Sequence, residues 1–306
     1  MESIVETRLK KVPVLLLAFN RPLITQQVLA RIATYSPPRL YVAVDGPRSG
    51  HPTDEERCSA VKQLVADWRD ANPATTVHTL YQKANLGCGR GVSSGITWFF
   101  DQEEMGIILE DDCLPSGGFF WFCEQLLWQY RDQERIMHIG GCNFLHGAIP
   151  MESTYYFSKY PQIWGWASWR RAWSRYRFQM SDLDGLFSKP EFHRYYKKEI
   201  FELTGRGELD TWDIQWIYAF LMNDGLSILP NGSFIENIGF GEYSGAHLNG
   251  KPSWYEPTIT EVTRLIPPPS QQPNVAADDY VFRTIYNPGV WLRAKRKIRR
   301  LLSKKL

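Results

Sequence analysis

Apolar and polar positions in the first half of the chain alternate in blocks. Short runs of consecutive apolar residues, VPVLLLAF at 12–19, RLYVAVDG at 39–46, TVHTLYQ at 76–82, GIILE at 106–110 and IMHIGG at 136–141, have the length of strands. Between them lie stretches whose apolar residues recur at helical spacing: ITQQVLARIA, CSAVKQLVADWRD, VSSGITWFFDQ and FFWFCEQLLWQYRD. Continuous apolar strands are covered on both faces, and strand–helix alternation over about 140 residues predicts an α/β fold with a mainly parallel central sheet flanked by helices. After residue 150 the pattern loosens into aromatic-rich YYFSKYPQIWGWASWRRAWSRYRF, a helical ELDTWDIQWIYAFLMNDG and a glycine-rich PNGSFIENIGFGEYSGAHLNG. The expected organisation is a first half at 1–149, a second half of the same domain at 150–250, a Pro-rich wrap at 251–289 and a tail at 290–306, with PPPSQQPN free of regular structure.

In parallel sheets ligands bind at the carboxyl ends of the strands. Polar residues stand at those ends: Asn20 and Arg21, then Asp45, then Lys83 and Asn85, then Glu110, Asp111 and Asp112. Three consecutive carboxylates repel one another unless a positive charge sits among them, so they are either solvated or hold a cation. A hard cation such as Mg2+ or Mn2+ takes oxygen ligands, keeps phosphate oxygens in its shell, and needs only one or two carboxylates beside a diphosphate. Arg21 suits a phosphate or a flat base, and Asp45 can accept from a base N–H or a ribose hydroxyl, although DG is also a turn signal. Lys83 and Arg90 are candidates to face phosphates, and NLGCGRG at 85–91 reads as a flexible segment lacking the dinucleotide fingerprint.

Asp213 in WDIQW stands between large aromatics, where burial can hold a carboxylate for proton abstraction. His247 lies in a glycine-rich loop with the acid triplet as a partner, and Trp164 and Trp166 in WGWASW either stack on sugar faces or pack the second half together.

The net charge of +2 hides an asymmetry: residues 290–306 carry eight Lys or Arg and no acid, which leaves about −6 for the remainder. A body built to grip nucleic acid is excluded on that ground. The tail itself, with Trp291, Ala294, Ile298, Leu301 and Leu302 along one face, suits an anionic membrane surface. Five cysteines without CxxC spacing fit reduced thiols rather than a disulfide framework or zinc knuckle. No signal-peptide pattern opens the chain and its first apolar run is too short to span a bilayer, so a cytoplasmic protein, peripheral on the inner face of the membrane, is expected.

PVLLLAFNR at 13–21, VDG at 44–46, ILEDD at 108–112, WD at 212–213 and FGEYSGAH at 240–247 occur in an order that resembles nucleotide-sugar glycosyltransferases of the GT-A type. The set is similar to the N-acetylglucosaminyltransferase I family and to bacterial family 2 glycosyltransferases. That resemblance implies a GT-A fold, a Mn2+ or Mg2+ cofactor, a nucleotide-sugar donor, favoured to be a UDP-sugar, and a glycan or lipid-linked acceptor. It implies that Arg21 and Asp45 contact the uridine or its phosphates, and Lys83, from its place after the third strand, is expected on the donor side. Asp112 would bind the metal, and Glu110 and Asp111 would hold donor-sugar hydroxyls or shell waters. Asp213 would deprotonate the acceptor with inversion, His247 would complete the metal site, and Trp164, Trp166 and Trp212 would receive the acceptor. The family's second acid after the base is Ile214 in this chain. Two other readings are a sugar nucleotidyltransferase, whose Gly-rich loop after the first strand is missing from FNRPLITQQ, and a carbohydrate-binding or scaffold protein on an inactive transferase fold.

Overall fold

The computed structural model describes residues 10–190, 192, 196–240, 251–252 and 255–287. His247 and the basic tail at 290–306 lie outside the described residues. The first half runs β1 (Val14–Ala18), α1 (Pro22–Tyr35), β2 (Arg39–Val44), α2 (Asp54–Ala71), β3 (Thr76–Tyr81), α3 (Gly87–Gln102), β4 (Met105–Glu110), the short β5 (Cys113–Pro115), α4 (Gly117–Gln129) and β6 (Ile136–Gly140). The second half supplies β7 (Tyr155–Ser158), β8 (Trp166–Trp169), α5 (Arg170–Trp173), α6 (Leu183–Ser188), α7 (Lys198–Gly205), α8 (Asp213–Met222), β9 (Leu226–Pro230), β10 (Ile235–Asn237) and α9 (Val275–Val281).

Among the described residues eight strands form one sheet in the order β3-β2-β1-β4-β8-β6-β9-β7. β3, β2, β1 and β4 are mutually parallel, β6 and β9 run the same way, and only β8 and β7 oppose them. The expected mainly parallel sheet flanked by helices is therefore present. Side-chain alternation assigns the two faces. Val14 and Leu16 of β1, with Ile107 and Leu109 of β4, pack in the core that includes α1, α2 and α4. Leu15 and Leu17, with Ile108, pack on the opposite core with Ile96 and Phe99 of α3 and Trp216 and Ala219 of α8. Each such buried aliphatic side chain contributes about 1.5–3 kcal/mol, so the central strands are anchored from both sides.

The two halves interleave. β8 lies between β4 and β6, so a strand from the aromatic-rich second half sits in the middle of the sheet. WASW is that strand, which is why Trp166 is only 1% exposed and stacks on Trp212 at 5.7 Å. Part of the Pro-rich segment is also more ordered than its composition suggests. α9 begins where the Asn274 side chain accepts from Ala277 N, and Asp278, buried, accepts from Ser158 Oγ and Lys159 N to dock the helix on β7. All five cysteines are unpaired. Among the described residues no helix is long and apolar enough to cross a membrane.

His138 on β6 is fully buried, stacked on Trp166 at 5.0 Å. Its Nε2 lies 2.9 Å from the Gln162 carbonyl and Trp216 Nε1 donates to its Nδ1 at 3.4 Å, an arrangement that suits the neutral ring. Burial lowers its pKa to about 3. The unfolded chain therefore binds a proton near pH 6.5 that the folded chain refuses, and stability falls as pH drops from about 6.5 toward 3, by at most about 1.4 kcal/mol per pH unit from this group. His138→Gln should flatten the pH dependence of unfolding free energy between pH 6 and 5 by up to one proton, measured by urea unfolding; an unchanged slope would show that the imidazole is not held neutral.

Candidate active site

The acid triplet stands where β4 ends, beside the end of β1, because the two strands pair in register from Val14↔Ile107 to Leu17↔Glu110. After β1 the chain makes a short turn through Asn20 and Arg21 and enters α1 at once, with Pro22 at the first helical position, where its missing N–H costs nothing. That tight turn aims Arg21 at the triplet. Its guanidinium donates to both oxygens of Asp111, with Nε 3.3 Å from Oδ2, and Nη1 donates to Asp112 Oδ2 at 2.9 Å. Asp111 is 2% exposed and also accepts from the Phe19 backbone at 3.4 Å. The positive charge that three adjacent carboxylates require is thus supplied within the chain.

One guanidinium does not balance the cluster. Burial raises the Glu110 carboxyl well above the carboxylate range, Asp112 and Asp111 add to the rise, Arg21 opposes it, and the charge of Asp213 adds further. Burial also raises Asp111, with Arg21 pulling the other way. Asp213, 103 positions further along the chain than Glu110, is therefore within electrostatic reach of the triplet. It opens α8, where a carboxylate complements the helix dipole, and the Thr211 hydroxyl donates to its Oδ1.

Asp112 is pinned from the other side. β10 pairs antiparallel with β5, and the chain leaving β10 crosses Asp112, with Ile238 N donating to the Asp112 carbonyl at 2.9 Å. A Cβ at Gly239 would fall 2.3 Å from Asp112 Oδ2, so only glycine permits this approach.

Asp45 ends up among backbone amides. Its carboxylate accepts from Gly46 N at 2.8 Å, from Leu86 N at 2.9 Å and from Asn85 Nδ2 at 2.9 Å, and burial raises its pKa against those bonds. The stretch NLGCGRG, expected to be flexible, is instead the entry and first turn of α3, and Gly87 holds φ +80° there. Lys83 is exposed in the bend after β3, and Arg90 lies over the Phe178 ring at 4.6 Å.

Of the three tryptophans expected to receive an acceptor, Trp166 and Trp212 are 1% and 2% exposed and present no open face, because β8 and the entry to α8 are packed inside the second core. Trp164 is partly exposed and meets Phe144 at 5.6 Å, Tyr255 at 5.0 Å and Phe240 at 6.1 Å. Sequence reading missed Asp210, whose carboxylate accepts from Cys88 N and Gly89 N at 2.9 Å each. The glycine spacing of GCGRG signalled a crowded backbone, but nothing in sequence paired it with an acid 121 positions away.

The chemistry of the triplet suits a hard cation: oxygen donors only, with negative charge in excess of Arg21. Among the described residues no group of three or more His, Cys, Asp or Glu side chains is placed to hold a metal ion. Asp112, with Glu110 beside it, is the pair that would hold a cation that shares its shell with phosphate oxygens.

No family model matches the sequence, and no curated protein matches it. Among solved structures the fold is similar to a mannosyltransferase from Pyrobaculum calidifontis in complex with GDP-mannose and Mn2+, at 13% identity and a TM-score of 0.41 over 55% of this chain and 47% of that one. It is also similar to UDP-glucose pyrophosphorylase complexed with UDP-glucose, at 10% identity and a TM-score of 0.39 over 74% and 93% of the two chains. The match spans about half the length of the mannosyltransferase. At these values the likeness concerns the layout of sheet and helices and nothing of the chemistry.

Proposed function

We propose that this chain is a divalent-metal-dependent, inverting glycosyltransferase. It moves a sugar from a nucleotide-diphosphate donor, a UDP-sugar on the family resemblance, to a hydroxyl of a glycan or lipid-linked acceptor in bacterial surface polysaccharide or glycan synthesis. The observation that carries the reading is the crowding of Glu110, Asp111 and Asp112 around Arg21 at the end of β4, with the charge of Asp213 adding to the field at Glu110. A general base and a candidate phosphate-side metal site within reach of one another are what an in-line displacement at an anomeric carbon requires.

In this reading Asp213 accepts the proton of the acceptor O–H as that oxygen bonds to the anomeric carbon, and the bond from that carbon to the diphosphate oxygen breaks with its electrons leaving on the nucleoside diphosphate. Thr211 orients the Asp213 carboxylate through its hydroxyl, and the amino end of α8 complements its negative charge. Asp112 and Glu110 would hold a divalent cation, which when bound would stabilise charge on the leaving diphosphate. Arg21 fixes the two aspartates and adds positive charge on the phosphate side, with Asp45 and Lys83 toward the nucleotide. His247 would add a ligand to the metal, and Trp164, with its neighbouring aromatics, would face the acceptor.

Asp213→Asn should lower transfer by about 10²–10⁴-fold while donor binding stays intact. Unchanged turnover in a nucleotide-release assay would remove Asp213 from the chemistry. A thermal-shift screen of nucleotide sugars with and without Mn2+ should show one donor that raises Tm only with the metal, worth about 2.7 kcal/mol at a hundredfold excess over Kd, and Asp112→Ala should abolish the shift. Release of pyrophosphate from a nucleoside triphosphate and a sugar phosphate would instead establish a nucleotidyltransferase, and metal-independent sugar binding without hydrolysis an inactive fold.

A further inference from the structure

The amino end of α3 has no side-chain cap of its own: its N-cap residue is Leu86. Its first amides are taken in pairs by two carboxylates from elsewhere in the chain. Asp45, at the end of β2, accepts from Leu86 N and Gly87 N, and Asp210 accepts from Cys88 N through Oδ2 and from Gly89 N through Oδ1. The glycines make the second fit possible. A Cβ at Gly87 would lie 2.4 Å from Asp210 Oδ2, and one at Gly89 would lie 2.6 Å from Asp210 Oδ1 and 2.9 Å from the Thr211 carbonyl. Asp210 is itself a solvent-exposed residue, so its two-point grip on backbone amides, rather than burial, holds it.

The stretch after Asp210 is short and fully engaged. Thr211 donates to Asp213, Trp212 is inserted in the core against Trp166, and Asp213 opens α8. We infer that Asp210 is a positioning residue: its grip on the amino end of α3 latches the entry of α8 to the donor half of the molecule and thereby sets the place of Asp213 opposite the acid triplet. The inference rests on the assignment of Asp213 as the base. It adds a specific tie between the element that would carry the base and the element whose first turn lies beside Asp45 on the donor side.

The latch has a reporter that does not depend on activity. Cys88 sits inside it, and among the five cysteines, all within the described residues, it alone is half-buried rather than fully buried. Its thiol is disfavoured as thiolate by burial and by the charges of Glu110, Asp213, Asp210 and Asp112. Opening the latch removes one of those charges and exposes the sulfur, so reactivity must rise.

The test measures iodoacetamide alkylation of Cys88 by mass spectrometry, and steady-state transfer with the donor found by thermal shift, in wild type, Asp210→Asn, Asp210→Glu and Gly89→Ala. Asp210→Asn keeps one acceptor atom but puts an amide donor against a backbone N–H. Gly89→Ala improves intrinsic helix propensity while expelling the carboxylate, so lost latching is separated from a weakened helix. Expected are alkylation about tenfold faster in Asp210→Asn and Gly89→Ala, and kcat for transfer about ten- to a hundredfold lower with donor KM unchanged. Asp210→Glu should recover part of kcat. Alkylation at the wild-type rate, a donor KM that changes in step with kcat, or equal losses in Asp210→Asn and Asp210→Glu would each overturn the inference. If the wild type transfers nothing from any donor, the base assignment fails and with it the positioning of a base, while alkylation still decides whether the latch exists.

Discussion

The structure depends most on the crowding of carboxylates at the end of β4. Glu110, Asp111 and Asp112 are adjacent in sequence, and β4 is buried, so the chain places like charges where water screens them poorly. Arg21 answers two of them directly, which explains the abrupt turn from β1 into α1 and the absence of a loop there. Burial, and after it the residual negative charge, raises Glu110, and the same two causes act on Cys88. A site with that imbalance is stabilised by added positive charge.

Holding such a site in shape is the work of two supports of different character. On the sheet side, alternate residues of β1 and β4 face two separate cores, so neither strand can shift without breaking packing on both. On the loop side, polar clasps serve where packing does not reach: Asp45 and Asp210 on α3, Ile238 and Gly239 on Asp112, Thr211 on Asp213. The buried tryptophans link the two. Trp212 immediately precedes Asp213 and stacks on Trp166 of a central strand, so the aromatic layer of the second half acts as foundation beneath the site.

Two features show how composition misleads when side chains compete for two uses. WGWASW carries rings that suit either sugar stacking or a core, and the choice went to the core at Trp166 because β8 enters the middle of the sheet. GCGRG has the flexibility of a loop on paper, yet its glycines serve close approach of Asp210 and Asp45 to a helix end. In both cases the deciding partner lies more than forty positions away or in another element, which no local window contains.

The sequence by itself determined the element order of the first half, the parallel character of the sheet, and the polar residues at the strand ends, because continuous apolar runs and helical periodicity are local consequences of burial on two faces. It also marked Glu110, Asp111 and Asp112 as charges in need of a partner. Only the tertiary structure decided that Arg21 is that partner, that the charge of Asp213 adds to the field at Glu110, that β8 separates β4 from β6, and that Asp210 caps α3. These are pairings between distant segments, settled by strand order and by which carboxylate finds an unclaimed amide, and neither is encoded in any stretch of chain short enough to read alone.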